Sequence, residues 1–432
     1  MKVKKTLICL LLSAVLLQSA VVIAAPVKLT LWDWHAPRMQ ITEKYIKQYE
    51  KLHPGVKITA QTIGWDDYWK KMTAGMAAKK VPDIASFHNS KTSVFIGQLT
   101  PYPQDRFSIQ EMEKNIVNFR GGYLFDGEFY FYPVGIMSSL IFYNKDLWQT
   151  AGLTAADIPR TWTNFEQVAK RLTKYDKNGG VQFAGFGLNG ALGLLWCDLN
   201  YQMGGSIYNA DGTATRFNTK AGREALSFLT KLVFEHKVTE PGFLDYSEAL
   251  GTGSAAMVYG WTWLRGSLDT NYPDLNYGAF PLPTFTGKMT PGPVARNNHE
   301  VGFCVPKAAP ESRKKEAWKF LDWLYRDTDY IIESCLALAV APADKNLWID
   351  ARIKNDPVIS VLVKEIPYTI IPGELPQIVE NTGGLKTIND LTFNGASVLD
   401  TLSQADSEAT EVLKIRPVKW CVEQEYQVLE MD

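Results

Sequence analysis

Charge of one sign is what this sequence lacks most plainly. Its 45 lysines and arginines stand against 46 aspartates and glutamates, a formal net charge of −1. No block of five or more like charges occurs. The chain therefore carries no electrostatic footprint for nucleic acid and no polybasic patch for a membrane surface. Cysteine is scarce, with five residues and no Cys-x-x-Cys pair. Cys197, Cys304, Cys335 and Cys421 are too widely spaced for a disulfide scaffold, and buried or unpaired thiols are expected. The histidines (His35, His53, His88, His236 and His299) lack metal-ligand spacing, so neither a metal nor another cofactor is expected. The hydrolase, zincin and P-loop signatures G-x-S-x-G, H-E-x-x-H and G-x-x-x-x-G-K are missing. "GTGSAA" at Gly251–Ala256 follows no clear strand and reads as a turn rather than a dinucleotide loop.

Long apolar runs are missing too, except at the N-terminus. "MKVKK" supplies Lys2, Lys4 and Lys5, "TLICLLLSAVLL" an apolar core, and "QSAVVIAAPV" a small-residue end. This is the pattern of a secretory signal peptide, residues 1–24, cut after Ala24. The alternative is an uncleaved anchor, for which the apolar core is short. Loss of three lysines moves the net charge from −1 to −4. No later segment reaches about 18 apolar residues, so an exported chain free of the membrane is expected.

The remaining chain is rich in alternating and helical patterns. Aromatics make up 12% and hydrophobics 46%, enough for packed cores over two to three domains or two large lobes. Val27, Leu29 and Leu31 alternate as a strand; Ile41, Tyr45, Tyr49 and Leu52 follow at helical spacing and Pro54-Gly55 stops them. "VKITAQTIG" alternates again, "DDYWKKMTAGMAAKK" reads as a helix, and "VPDIASF" as a short buried strand. This order predicts βαβ units, an α/β fold, and ligand contacts in the loops after the strands: "WDWHAPR", "IGWDD" and "FHNSKTS". Thr163-x-x-Glu166 reads as a capping box. Asp33, Asp66 and Asp67 are the carboxylates best placed for glycoside chemistry, although capping or hydrogen bonding accounts for them more simply.

The segments "LTLWDW", "PDI", "DGEFYFYPVGIMSSLIFYNKDLWQTAGL", "PRTWTNFEQVAKRLT", "MVYGWTW", "AFPLPTFTG" and "EAWKFLDWL" occur in this order. Together they resemble the extracellular solute-binding proteins of sugar ABC transporters, the group that includes maltose-binding protein. The resemblance runs over nearly the whole chain after the N-terminal segment. It implies two α/β lobes facing each other across a cleft, with three chain crossings. The crossings would fall at Pro133–Gly135, near Arg296–Glu300 and near Asn355–Pro357. Lobe one would comprise 26–134 and 299–354, and lobe two 135–298 and 355–432. It further implies hinge closure on a carbohydrate ligand, delivery to membrane permease subunits of an ABC importer, no catalysis, a periplasmic location and a monomer. A secreted glycoside-active enzyme and a binding protein for a non-sugar solute remain the alternatives.

Carried over by position, the resemblance implies ligand contacts from Trp34, His35 and Arg38 in the first loop. Trp65 and Asp66 would contribute from the second, and His88 and Asn89 from the third. Ser138, beside Met137, lies just past the first crossing. Trp196, Trp261 and Trp263 are the candidates in lobe two. Where the family has a Gly-x-Trp region, this sequence carries two tryptophans, and which of Trp261 and Trp263 stacks on ligand stays open.

Overall fold

The computed structural model describes residues 26–289, 293–376, 379–380 and 383–419. The expected signal peptide and Cys421 lie outside the described residues. Thirteen strands are defined among them: β1 (Val27–Asp33), β2 (Val56–Thr62), β3 (Ile84–Ser86), β4 (Leu99–Thr100), β5 (Pro133–Asn144), β6 (Lys174–Tyr175), β7 (Val181–Phe183), β8 (Met257–Trp261), β9 (Tyr277–Phe280), β10 (Ala295–Val301), β11 (Phe303–Pro306), β12 (Ala341–Pro342) and β13 (Thr369–Ile370).

Alternation in β1 puts Leu29, Leu31 and Asp33 inward while Lys28 and Thr30 face out. β2 and β3 pair with β1 in parallel, and the first sheet continues antiparallel through β11 to β4, in the order β2-β1-β3-β11-β4. The helix Ala36–Leu52 buries Tyr45, Ile46 and Tyr49, and the helix Glu311–Arg326 packs against β1. These elements form one lobe of a two-lobed α/β fold. The second sheet has the order β12-β5-β10-β13, with β8 and β9 also paired to β5. Among the described residues, β6 and β7 make a separate antiparallel pair.

β5 is the longest strand and joins the two halves of the design. Every residue from Pro133 to Phe142 is buried, as expected of a strand covered on both faces. Its first part pairs with β10 (Ser138 opposite Asn297) and with β12 (Ile136 opposite Ala341). Its second part pairs with β8 and β9. At Pro133–Gly135, where the first crossing is expected, the strand runs on without a break. Gly135 serves close approach instead: a Cβ would stand 2.4 Å from Val340 Cγ2 and 2.9 Å from the Ala341 carbonyl oxygen. β10 and β11 flank Gly302 and belong to different sheets, so the chain passes between the sheets a second time.

Helix starts follow local chemistry. Asn144 ends β5, and its Oδ1 accepts from the backbone of Asp146 and Leu147, both at 3.0 Å, which starts the helix Lys145–Thr150. The capping box expected at Thr163 does not form. Thr161 is the cap, accepting from Asn164 N at 3.0 Å, because the buried ring of Trp162 belongs to the first turn. Glu166 pairs with Lys170 at 2.6 Å and His236 at 3.1 Å. Among the described residues no helix is long and apolar enough to cross a membrane, and no group of His, Cys, Asp and Glu could hold a metal ion. Cys197, Cys304 and Cys335 are buried, and burial pushes the Cys304 and Cys335 thiols well up.

Candidate ligand site

Because β1, β2 and β3 are parallel, the loops that follow them open on one edge of the first sheet. Ile63 N donates to the Asp33 carbonyl oxygen at 2.9 Å, holding the first two loops together. The first loop provides Trp34 and His35. The second turns at Gly64 into the helix Trp65–Ala78, whose first turn carries Asp66 and Asp67, both exposed, where carboxylates complement the helix dipole. The third provides His88 and Asn89.

These loops assemble an aromatic wall. Trp34 meets Trp65 at 5.1 Å between ring centroids and 85°, and Tyr68 at 5.0 Å and 75°. Trp65 meets His88 at 5.1 Å and 85°. Edge-to-face contacts of this kind fix ring planes. Tyr68 and Trp69 are buried, whereas Trp34 and Trp65 remain half-exposed. His88 Nδ1 accepts from Ser90 N at 3.2 Å, which places the ring proton on Nε2. Burial, with Lys91 nearby, holds this imidazole down at about 3; burial and Arg38 hold His35 at about 4. Both rings are neutral at pH 7. Asn89 reaches out of the third loop and donates through Nδ2 to Asn298 Oδ1 in β10.

Three expected contacts are placed elsewhere. Arg38 is buried, and all five of its N–H donors are committed: Asp33 accepts at 2.7 and 2.8 Å, Ser86 Oγ at 2.9 Å, the Val301 carbonyl at 3.1 Å and Glu300 at 3.2 Å. It has no donor left for a ligand. Burial opposes its charge, but Asp33 and Glu300 more than offset this and raise its pKa further. Trp196 is fully buried, donates to the Gly222 carbonyl at 2.8 Å and packs edge-on against Phe217, so it is a core ring. Ser138 is fully buried and donates to the Arg296 carbonyl at 2.8 Å, and Met137 beside it is buried as well.

On the second sheet, Trp261 ends β8 opposite Ser139 and is 9% exposed, while Trp263 begins the helix Leu264–Asn271 and is 44% exposed. Three residues that sequence reasoning missed, Arg296, Asp198 and Glu374, stand on this side. Arg296 donates through its backbone N and Nε to Asp198 Oδ1, both at 2.8 Å, and its Cζ lies 5.3 Å from the Trp261 ring centroid. Asp198 also accepts from Ser139 Oγ at 2.8 Å and Tyr259 Oη at 2.6 Å. Glu374, in the proline-flanked segment after β13, reaches back to Ser93 at the end of the third loop of the first sheet. A carboxylate between prolines was the only signal for it, and that pattern is common in turns.

The family of bacterial extracellular solute-binding proteins matches residues 32–330. The chain belongs to that family. It is 25% identical over 313 residues to a Brucella abortus (strain 2308) protein named only as a binding protein, covering 70% of this chain and 72% of the relative. It is likewise 25% identical over 319 residues to the maltodextrin-binding protein MdxE of Bacillus subtilis (strain 168), covering 67% of each. In fold it is similar to the maltose/maltodextrin-binding domain MalE of Bdellovibrio bacteriovorus bound to maltotriose. That likeness has a TM-score of 0.71 at 18% identity and spans 90% of this chain and all of the other.

Proposed function

We propose that this solute-binding protein captures a sugar or oligosaccharide in the cleft between its lobes and hands it to the permease subunits of an ABC importer. The observation that carries the reading is the aromatic wall of Trp34 and Trp65, with the polar groups of His88 and Asn89 on the same sheet edge. A pyranose has apolar C–H faces and a polar rim, so half-exposed rings suit its faces and amide or imidazole N–H groups suit its hydroxyls. The relative from Bacillus subtilis and the neighbour from Bdellovibrio, named for maltodextrin and maltose, support the same ligand class. Trp263 supplies the facing ring, with His35 and Asp66 at the edge of the wall.

In this reading lobe one comprises 26–134 and 299–354, and lobe two 135–298 and 355–432. Support comes from the side chains at the end of β10: its backbone pairs with β5 from Ser138 to Gly135, but His299 stacks on Tyr123 at 4.3 Å and Glu300 pairs with Arg38. The chain acts in the periplasm as a monomer, after removal of residues 1–24, and does no chemistry on its ligand. Asp33 is locked against Arg38, while Asp66 and Asp67 lie exposed on one helix turn, which is not a facing pair of carboxylates.

A thermal-shift screen over mono- and oligosaccharides tests the reading. A ligand present at 100 times its Kd adds about 2.7 kcal/mol of stability. A shift with a polyol phosphate or a peptide and none with any sugar would overturn the ligand class. Release of product from a glycan panel would overturn the binding-only role.

A further inference from the structure

A buried carboxylate after the last strand of the second sheet bonds to a residue between two strands of the first. Glu374 follows β13 of the second sheet, in the irregular segment 371–376, and is buried. Tyr208 Oη donates to its carbonyl oxygen at 3.0 Å, fixing its backbone. Its carboxylate leaves that side altogether. Glu374 Oε2 accepts from Ser93 N at 3.1 Å and from Ser93 Oγ as well. Ser93 sits between β3 and β4, both strands of the first sheet. The Lys91 ammonium adds attraction for the same carboxylate. A short distance away in sequence, Asn89 Nδ2 donates to Asn298 of β10, and Thr92 Oγ1 donates to the Asn89 carbonyl at 2.7 Å, so the whole turn is tied down.

We infer that Glu374 and Ser93 form a latch between the lobes, one that contributes to closure through protein–protein hydrogen bonds of its own. The inference rests on the two-lobed binding-protein reading but not on the ligand being a sugar. Two donors of one serine, an N–H and an O–H, converge on the same oxygen of the buried Glu374 carboxyl group. Such a contact must break when the lobes part, because its two ends lie on different sheets. The latch therefore shifts the balance between open and closed forms by its own interaction energy.

Glu374→Ala removes the acceptor from the second side, and Ser93→Ala removes one donor from the first. Two measurements on the protein alone read the outcome: small-angle scattering, and amide exchange at Ser93, whose N–H the latch protects. Glu374→Ala should increase the radius of gyration and speed exchange at Ser93 by roughly two- to tenfold, as expected for loss of a buried hydrogen bond. Ser93→Ala should expand the molecule less, and the double variant no more than Glu374→Ala. Glu374→Gln, which keeps an acceptor oxygen, should lie between parent and Glu374→Ala; it also serves should Glu374→Ala fail to fold. A parent-like scattering curve and parent-like Ser93 exchange in a folded Glu374→Ala or Glu374→Gln would overturn the latch. Expansion of the variants with no sugar binding by the parent would leave the latch standing and sink the sugar reading. Sugar binding by the parent with unchanged scattering in the variants would do the reverse.

Discussion

Each lobe holds a buried arginine salt-bridged to a buried aspartate, and the two differ in what surrounds the guanidinium. Arg38 is enclosed by oxygen acceptors on all five donors, from β1, β3 and β10. Arg296 gives Nε to Asp198 and Nη2 to the Leu194 carbonyl, and its guanidinium lies near the Trp261 ring. The first is a closed electrostatic unit that ties the first sheet to the crossing strand. The second is coupled to a buried ring at the end of β8, so charge and aromatic packing are linked there. On the first sheet the two are separate: Arg38 holds the frame, and Trp34 and Trp65 form a half-exposed wall apart from it. An arginine near a predicted site is thus no guide to ligand contact until its donors have been counted.

The sharpest way to break this comparison is to remove Arg38. Arg38→Met would leave Asp33 and Glu300 facing each other without a counter-ion in a buried site. Loss of one partner of a buried ion pair costs about 3–5 kcal/mol, so urea unfolding should show a loss of that size. Asp33, held below the usual carboxylate range mainly by Arg38 against the effect of burial, would lose that support. A variant that melts like the parent but loses ligand would show that Arg38 belongs to the site after all. Trp196→Ala tests the same point in lobe two. Truncating a fully buried ring costs about 3–5 kcal/mol, with ligand affinity of the folded protein unchanged by calorimetry.

Next in size is a pH effect at the crossing strand. His299 stacks on Tyr123 at 4.3 Å and 10°, fully enclosed, with neither ring nitrogen hydrogen-bonded among the described residues. The stack needs Gly122, since a Cβ there would fall 1.5 Å from His299 Cε1. Burial holds this imidazole down at about 4, against an ordinary 6.5. The unfolded chain therefore takes up the proton first as pH falls. The neutral ring's contribution is whole above pH 6.5 and is lost between there and pH 4, amounting to about 2 kcal/mol by pH 5. Burial raises Glu300 and Glu374 to about 7, so they act in the opposite direction: their effect disfavours the folded, closed form as pH rises from about 4.5 towards 7. His299→Phe keeps the stack and removes the titration. Comparing urea midpoints at pH 7 and pH 5, the parent should lose about 2 kcal/mol more than His299→Phe; equal losses would contradict the assignment.

These residues also show which parts of the molecule the sequence discloses. Local periodicity placed β1, the helix after it with Tyr45 and Tyr49 inward, and the edge where Trp34, Trp65 and His88 meet. It did so because those signals lie within a few residues of each other and parallel strands present their following loops on one edge. Arg38 was misread because two of its acceptors, Ser86 and Glu300, are 48 and 262 residues away. Glu374 meets Ser93 across 281 residues. At Thr161 and Thr163 the local code was ambiguous, and burial of Trp162 decided which one caps the helix. Residues two apart in a strand share a face, but Trp261 and Trp263 do not form such a pair, since the strand ends at Trp261.

The smallest expected effect on folding, and the most telling for function, belongs to Trp263. The ring is 44% exposed and follows the end of β8, where Thr262 N still donates to the Ser138 carbonyl at 3.1 Å. The backbone of Trp263 is helical, so its side chain departs from the strand plane that holds Trp261. Trp261, by contrast, is 9% exposed beneath Arg296. Trp263→Ala should change folding stability by no more than about 0.5 kcal/mol, as for most exposed positions. If Trp263 faces the wall of Trp34 and Trp65, losing it should weaken binding by roughly 1–3 kcal/mol, taking aromatic stacking on nucleic-acid bases as the guide. Trp261→Ala should instead lower the melting temperature, because it opens a cavity and removes the ring beside the Arg296 guanidinium. Calorimetry with the tightest ligand from the sugar screen, and melting of both variants, separate the two roles. Parent-like affinity in a folded Trp263→Ala would move the stacking surface entirely onto lobe one, leaving the second lobe to close over the ligand with polar groups alone.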